Sequence, residues 1–318
     1  MRLSRSFAFE IKPIPPYDFN LTIKKPAGWF LFNPFEIYNK TTVWTVTHVD
    51  GLLIGIKLQF RGDVRNSIIN LRVFTRNVLN KKEQTNLKDR LAYALGANQD
   101  MKPFYSMAAK DKILKHVVED LYGMHDTSPT AIFPEAVLAI LLQMAPLKRS
   151  NEMMTSFINN YGEKAEFDGV SIKAWPTPEK ASKLTNEELA RKCKVGYRAK
   201  SIINLANLLA KQSFPSINEL EGMEPSEAKK LLMSLPGIGD YSSDIINTHG
   251  GFPIDVWSAE VFGKLFFGRE PKNNREAVER VKNEGIRRWG PWSWMAFFYV
   301  VQDLENLSNK LGKKLRLT

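Results

Sequence analysis

Near Leu87 the hydrophobic period of the chain changes from about two residues to about 3.6, and this change limits the folds open to it. Before that point, residues 24–31, 42–49 and 52–60 are rich in Val, Ile, Thr and aromatic residues and are separated by turn residues such as Asn33-Pro34 and Asp50-Gly51. The run 43–49, then Asp50-Gly51, then 52–56, predicts a β-hairpin. Residues 66–79 are β-branched throughout and fit either a strand pair or a short helix. Beyond Leu87 the spacing predicts helices to the C-terminus, over 111–122, 134–144, 151–161, 185–192, 199–211, 225–234, 240–248, 256–267, 275–289 and 292–306. The 134–144 segment is almost entirely apolar, which predicts a central, buried helix. The expectation is an α+β fold, with an N-terminal antiparallel β-containing domain over 1–97 and a large all-α body over 98–318.

Charge narrows the partners. The 318 residues hold 45 Lys and Arg against 34 Asp and Glu, a net +11 that favours a polyanion, nucleic acid before anionic membrane. The longest apolar run near the C-terminus, 295–301, is far short of the roughly 20 residues of a spanning helix. The first ten residues carry two Arg and no apolar core, so no secretory signal is expected. A single cysteine, Cys193, excludes an intramolecular disulfide and a cysteine-ligated iron–sulfur cluster. His48, His116, His125 and His249 lack metal-ligand spacing. A reduced, intracellular protein is expected. Residues 1–97 carry 15 Lys and Arg against 7 Asp and Glu, so most of the excess lies there. A second cluster, 191–200, has five cations; it reads as a polar helix end with one or two phosphate contacts, Lys200 first among them.

Leu235-Pro236-Gly237-Ile238-Gly239 lies between two expected helices. The proline fixes φ on entry, and the glycines permit left-handed backbone. A loop of this kind leaves amides exposed at the start of the following helix, where a phosphate can sit. An ordinary helix–turn–helix corner has the same local pattern.

The hairpin, followed by Gly251-Phe252-Pro253-Ile254-Asp255-Val256-Trp257, resembles the helix-hairpin-helix DNA glycosylase superfamily. The resemblance is to the subgroup of 3-methyladenine DNA glycosylase II and 8-oxoguanine glycosylase. Leu95-Gly96 with Asp100, Pro103-Phe104-Tyr105, residues 134–151, Gly196-Tyr197-Arg198-Ala199-Lys200 and Trp289-Gly290-Pro291-Trp292-Ser293 are similar to segments of that subgroup. Val43-Trp44-Thr45-Val46-Thr47 resembles its extra β-domain. The similarity spans nearly the whole chain and is strongest from Leu95 onward.

The resemblance implies a monomeric enzyme of base excision repair, placed in the cytoplasm (the nucleoid of a prokaryote) or the nucleus. It would act on double-stranded DNA with a damaged base, its site lying between two helical subdomains. Asp255 then stabilises the positive charge that develops on the sugar, and orients or deprotonates the attacking water. The same aspartate is also a favoured helix N-cap, and the two roles are compatible. Bifunctional members place a Schiff-base lysine two residues after the second hairpin glycine. Tyr241 stands there, which implies a monofunctional enzyme; its ring stacks on or gates the flipped base, or is core. A lyase alternative would recruit another lysine, such as Lys264. The wedge that fills the vacated stack falls on Gln143-Met144-Ala145-Pro146-Leu147, with Met144 chosen and Gln143 or Leu147 as alternatives. Leu235, Gly237, Ile238 and Gly239 are implied as DNA-binding, and the carbonyls of Leu235 and Ile238 as holders of a monovalent Na⁺ or K⁺. No other cofactor is implied. Trp257 and Trp292 are candidates for an aromatic pocket suited to cationic alkylated purines, with Trp294, Phe297 and Phe298 behind them. Alkylated-purine removal is favoured; uracil, hypoxanthine, mismatch or 8-oxoguanine removal stays open, as does a non-catalytic hairpin protein that reads distorted duplex. Two features depart from the family. The Gly239-to-Asp255 interval is short around residues 248–251, with Asp244 as a fallback carboxylate, and Trp257 replaces a phosphate-contacting histidine.

Overall fold

The computed structural model describes residues 1–28, 30–211, 214–247, 251–269 and 275–315. The chain divides into two compact units, Met1–Asp100 with Gly123–Asn218 and Met101–Tyr122 with Glu219–Thr318. Among the described residues no helix is long and apolar enough to cross a membrane.

The first unit is built on an antiparallel sheet of five strands: β1 (Arg5–Ile11), β2 (Ile37–Asn39), β3 (Thr42–Val49), β4 (Leu52–Arg61) and β5 (Ile68–Thr75), in the order β1-β5-β4-β3-β2. The expected β3–β4 hairpin is present, with Val49 opposite Leu52. Its turn residues Asp50 and Gly51 both have positive φ (49° and 78°), as a two-residue turn that follows the strand twist requires. Residues 66–79 resolve into the single strand β5. Among the described residues of 24–31 the expected strand is not formed. Asp18 caps a short helix, Phe19–Ile23, instead, and the Leu31 and Phe32 amides donate to the Glu36 carboxylate rather than to a neighbouring strand (2.9 and 2.8 Å). Those apolar residues are buried without joining the sheet.

Ile54, Ile56 and Leu58 on β4, with Ile69, Leu71 and Val73 on β5, pack against Phe19, Ile23, Leu87 and Leu91. The opposite face is covered by a hairpin in the region expected to be wholly helical, β6 (Glu163–Phe167) and β7 (Val170–Ala174). Its turn, Asp168-Gly169, repeats the Asp-Gly signal of the first hairpin, with φ of 46° and 76°. Phe167 lies so close over Gly55 that a Cβ there would meet the ring at 2.7 Å. Being covered on both faces, β4 is buried without alternation from Leu53 to Ile56. The helices of this unit include Lys81–Ala94, Ile132–Leu142, Leu147–Tyr161, Asn186–Cys193 and Arg198–Lys211. As expected, Ile132–Leu142 is buried nearly throughout.

The second unit is helical, with Lys102–Ala108, Leu114–Asp120, Pro225–Leu232, Asp240–Ile246, Val256–Phe267, Arg275–Trp289, Ser293–Gln302 and Leu304–Leu311 as its main elements. The single helix expected at 292–306 breaks at Asp303, whose side chain is buried beside Asp120. An N-terminal antiparallel sheet followed by many helices is the α+β class expected.

Candidate active site

The hairpin joins Pro225–Leu232 to Asp240–Ile246. Gly237 has φ of 81°, open to glycine and strained for other residues. The Ile238 amide donates to the Leu235 carbonyl at 3.1 Å and closes the turn. Leu235 and Ile238 bury their side chains, so these two positions offer only backbone outward, beside the exposed Gly237 and Gly239. Four charges brace the loop from behind. Lys229 Nζ lies 2.6 Å from Asp240 Oδ1 and 2.7 Å from Asp244 Oδ1. Lys282, on helix Arg275–Trp289, lies 2.5 Å from Asp240 Oδ2 and also binds Asp244 Oδ2. Partial burial disfavours the Asp240 anion, but the two ammonium groups outweigh it and hold that carboxyl below its usual range. Asp244, the fallback carboxylate, is thus buried with each oxygen on a lysine. It braces the hairpin.

The segment leading to Asp255 is anchored by aromatic packing. Residues 248–250, where the short interval was located, lie outside the described residues. Phe252 inserts among Phe262 (5.1 Å between ring centroids), Trp289 (5.6 Å) and Phe297 (5.9 Å). Gly285 leaves room for it, since a Cβ there would come within 2.2 Å of the Phe252 ring. The Ser293 hydroxyl donates to the Gly251 carbonyl at 3.0 Å and holds the start of the segment.

Asp255 then caps helix Val256–Phe267 in a reciprocal box with Ser258. Oδ1 accepts the Ser258 amide (2.8 Å) and its hydroxyl (2.7 Å), and the Asp255 amide donates to that hydroxyl at 2.9 Å. Oδ2 accepts no hydrogen bond among the described residues. Tyr241 is close enough that the Asp255 charge, added to burial, pushes the phenol above its usual range. The phenol therefore stays protonated next to a carboxylate. Tyr241, which the resemblance puts in place of a lysine, thus lies within electrostatic reach of Asp255.

No protein-family model matches the chain. A Methanothermobacter thermautotrophicus protein named probable N-glycosylase/DNA lyase is 24% identical over 245 residues, 70% of this chain and 76% of that one. The Bacillus subtilis DNA-3-methyladenine glycosylase is 24% identical over 253 residues, 76% and 82% of the two chains. The 3-methyladenine DNA glycosylase structure from Archaeoglobus fulgidus superposes with a TM-score of 0.74 at 17% identity, covering 94% of this chain and 99% of that one. The chain is thus similar in sequence to proteins named as DNA glycosylases, and it shares the fold of solved ones.

The remaining candidate positions divide into exposed and packed. Trp257, in the first turn after Asp255, is partly exposed at 37%. Trp292 is half-buried with its ring 5.7 Å from Phe104, next to the Ser293 that holds Gly251. Trp294, Phe297 and Phe298 are buried and stacked on one another, so they are core. Lys264 lies nine residues beyond Asp255, a rise of about 13 Å at 1.5 Å per helical residue. Its ammonium is held by Glu260 at 3.0 Å. In the first unit, Met144 is 66% exposed with φ of 47°, and Lys200 is exposed. Sequence reasoning missed Tyr197 and Arg198 as individuals. Tyr197 is 69% exposed, with the Arg198 guanidinium 4.7 Å over its ring. Arg198 is buried and donates to the Gln143 carbonyl. Both lie in a segment read as a cation cluster and as similar to the glycosylase subgroup, where a Tyr-Arg pair among cations was the signal available.

Proposed function

We propose that this protein is a monofunctional DNA glycosylase of base excision repair that hydrolyses the N-glycosidic bond of a damaged base turned out of the duplex. The observation that carries the reading is the pair at the hairpin: a helix-capping aspartate with one oxygen uncommitted, beside a tyrosine where a Schiff-base lysine would stand. As the base leaves, positive charge grows on the sugar, and a fixed carboxylate lowers the energy of that state. Asp255 is held in one rotamer by Ser258, so it needs little reorganisation as the charge develops. Its other oxygen is the one to orient or deprotonate water. An imine needs an amine nitrogen, which a phenol lacks, so the product is an intact abasic site.

Alkylated purines are the favoured lesion, on the strength of Tyr241, Trp257 and Trp292 as electron-rich rings for a cationic base and of the 3-methyladenine relatives. Met144 serves as the wedge. Gly237, Gly239 and Lys200 make the phosphate contacts, the first two through backbone. The site needs no redox cofactor; a monovalent cation on the Leu235 and Ile238 carbonyls is compatible with a loop that turns backbone outward. The protein acts as a monomer.

A second reading, a bifunctional glycosylase/lyase, is favoured by the relative named N-glycosylase/DNA lyase. Duplexes carrying single lesions, incubated with and without alkali, separate the two. The proposal predicts cleavage at one lesion only after alkali and no protein–DNA adduct with borohydride. Cleavage without alkali together with a trapped adduct would establish the lyase.

A further inference from the structure

Two turns in the first unit each carry a non-glycine residue in left-handed backbone. One is 143–146, between helices Ile132–Leu142 and Leu147–Tyr161, with Met144 at φ of 47°. The other is 194–197, between helices Asn186–Cys193 and Arg198–Lys211, with Lys194 at φ of 54°. An unbranched side chain with a Cβ prefers to leave that region, at a cost of about 1 kcal/mol or more. Something must therefore hold each turn.

The two turns hold each other. Arg198, at the start of one helix, donates from Nη2 to the carbonyl of Gln143, the residue before Met144. Arg149, in the first turn of another, donates from Nη2 to the Lys194 carbonyl at 2.7 Å. The bonds run in opposite directions, each arginine tying the turn that the other belongs beside. Ser150 closes the 143–146 turn further by donating from its hydroxyl to the Leu141 carbonyl at 2.9 Å. Arg198 is only 8% exposed, and its Nε has no partner among the described residues. Burying a guanidinium this deeply costs free energy that one carbonyl bond and one aromatic contact offset only in part. The side chain is an expensive way to tie a loop unless the shape of that loop matters.

We infer that Arg198 and Arg149 are positioning residues, which cross-brace the two turns and keep Met144 projecting before DNA arrives. A wedge must enter a base stack at a fixed place, so ordering it in the free protein lowers the cost of insertion. The inference rests on Met144 as the wedge, and its test is built so that the two ideas fail differently.

The probe is a duplex with a tetrahydrofuran abasic analogue and 2-aminopurine as the neighbouring base, whose fluorescence rises when the stack opens. It requires neither the natural lesion nor catalysis. Wild-type protein at saturation is compared with Met144→Ala, Arg198→Met, Arg198→Lys and the double variant Arg198→Met/Met144→Ala, alongside the melting temperature of each. The expected result is a roughly fivefold smaller rise for Arg198→Met, in the range of couplings between contacting residues. Arg198→Lys, which retains a donor, recovers part of it. The double variant is no worse than Met144→Ala, because the arginine acts through the methionine. If Met144→Ala leaves the rise intact, the wedge reading falls and takes the brace with it. If Met144→Ala lowers the rise and Arg198→Met does not, or the two losses add in the double variant, the brace alone is overturned.

Discussion

A carboxylate that caps a helix commits one oxygen to the helix and leaves the other for whatever approaches, and Asp255 divides its oxygens in this way. Ser258 therefore does more than finish a cap, because its hydroxyl donates to the oxygen that fixes the carboxylate rotamer. Ser258→Ala keeps the backbone N–H bond to Oδ1 and loses the hydroxyl bond. We expect about 1 kcal/mol of stability to be lost, with a larger proportional loss in the single-turnover rate of base release and little change in DNA affinity. Urea titration and single-turnover assays on the same preparation check this; a rate that follows stability alone would make Ser258 a cap and nothing more. Asp244 illustrates the opposite case. It is a carboxylate at a suggestive place in the sequence, yet both of its oxygens are occupied by Lys229 and Lys282.

At the level of elements, the segment between the hairpin and Asp255 is positioned by Phe252, and Phe252 by the space that Gly285 leaves. Gly285→Ala places a methyl within 2.2 Å of a ring enclosed by Phe262, Trp289 and Phe297. Overpacking of this kind costs about 1–3 kcal/mol. The displaced Phe252 should also shift Asp255, so base release falls further than the melting temperature alone implies. Unchanged activity in Gly285→Ala would show that the segment is positioned by something else. The hairpin itself was legible in the sequence, because glycine, proline and flanking helical periods each have a local cause. Helix Arg275–Trp289 was read with its observed bounds for the same reason. β1, β2 and the β6–β7 hairpin were not read. Their strands are short or belong to segments whose neighbours look helical, and their pairing is fixed by contacts far away in sequence, such as Phe167 on Gly55. The Asp168-Gly169 turn was the one local clue. Residues 24–31 failed in the other direction: strand-like composition served burial, while the Glu36 carboxylate took the amides a sheet would have used. For the site, the family resemblance pointed to Asp255 and Tyr241, but the groups around them, Ser258 above all, are consequences of folding.

Across the whole molecule, most of the net positive charge lies in the first third of the chain, while the second unit holds a buried carboxyl that should make its stability depend on pH. Asp303 is buried where two helices meet, hydrogen-bonded by Asn306 at 2.7 Å. Burial, then the neighbouring Asp120, raises its carboxyl to about 7, against Asn306 and Lys310, which favour the anion. A carboxyl whose pKa is higher folded than unfolded contributes its stability in full below the unfolded value and loses it as pH rises through the folded one. Resistance to urea should therefore decline between about pH 4 and about pH 7 and level off above. Asp303→Asn, which stays neutral, should flatten that decline; an equally steep decline in the variant would place the sensitivity elsewhere. The central claim, that this chain releases a damaged base by means of Asp255, has a more direct test. On the lesion that the wild-type protein releases, Asp255→Asn should lower the single-turnover rate by roughly 10²–10⁴-fold. It should bind that duplex at least as tightly, because asparagine still caps the helix. Base release at the wild-type rate by Asp255→Asn would contradict the account.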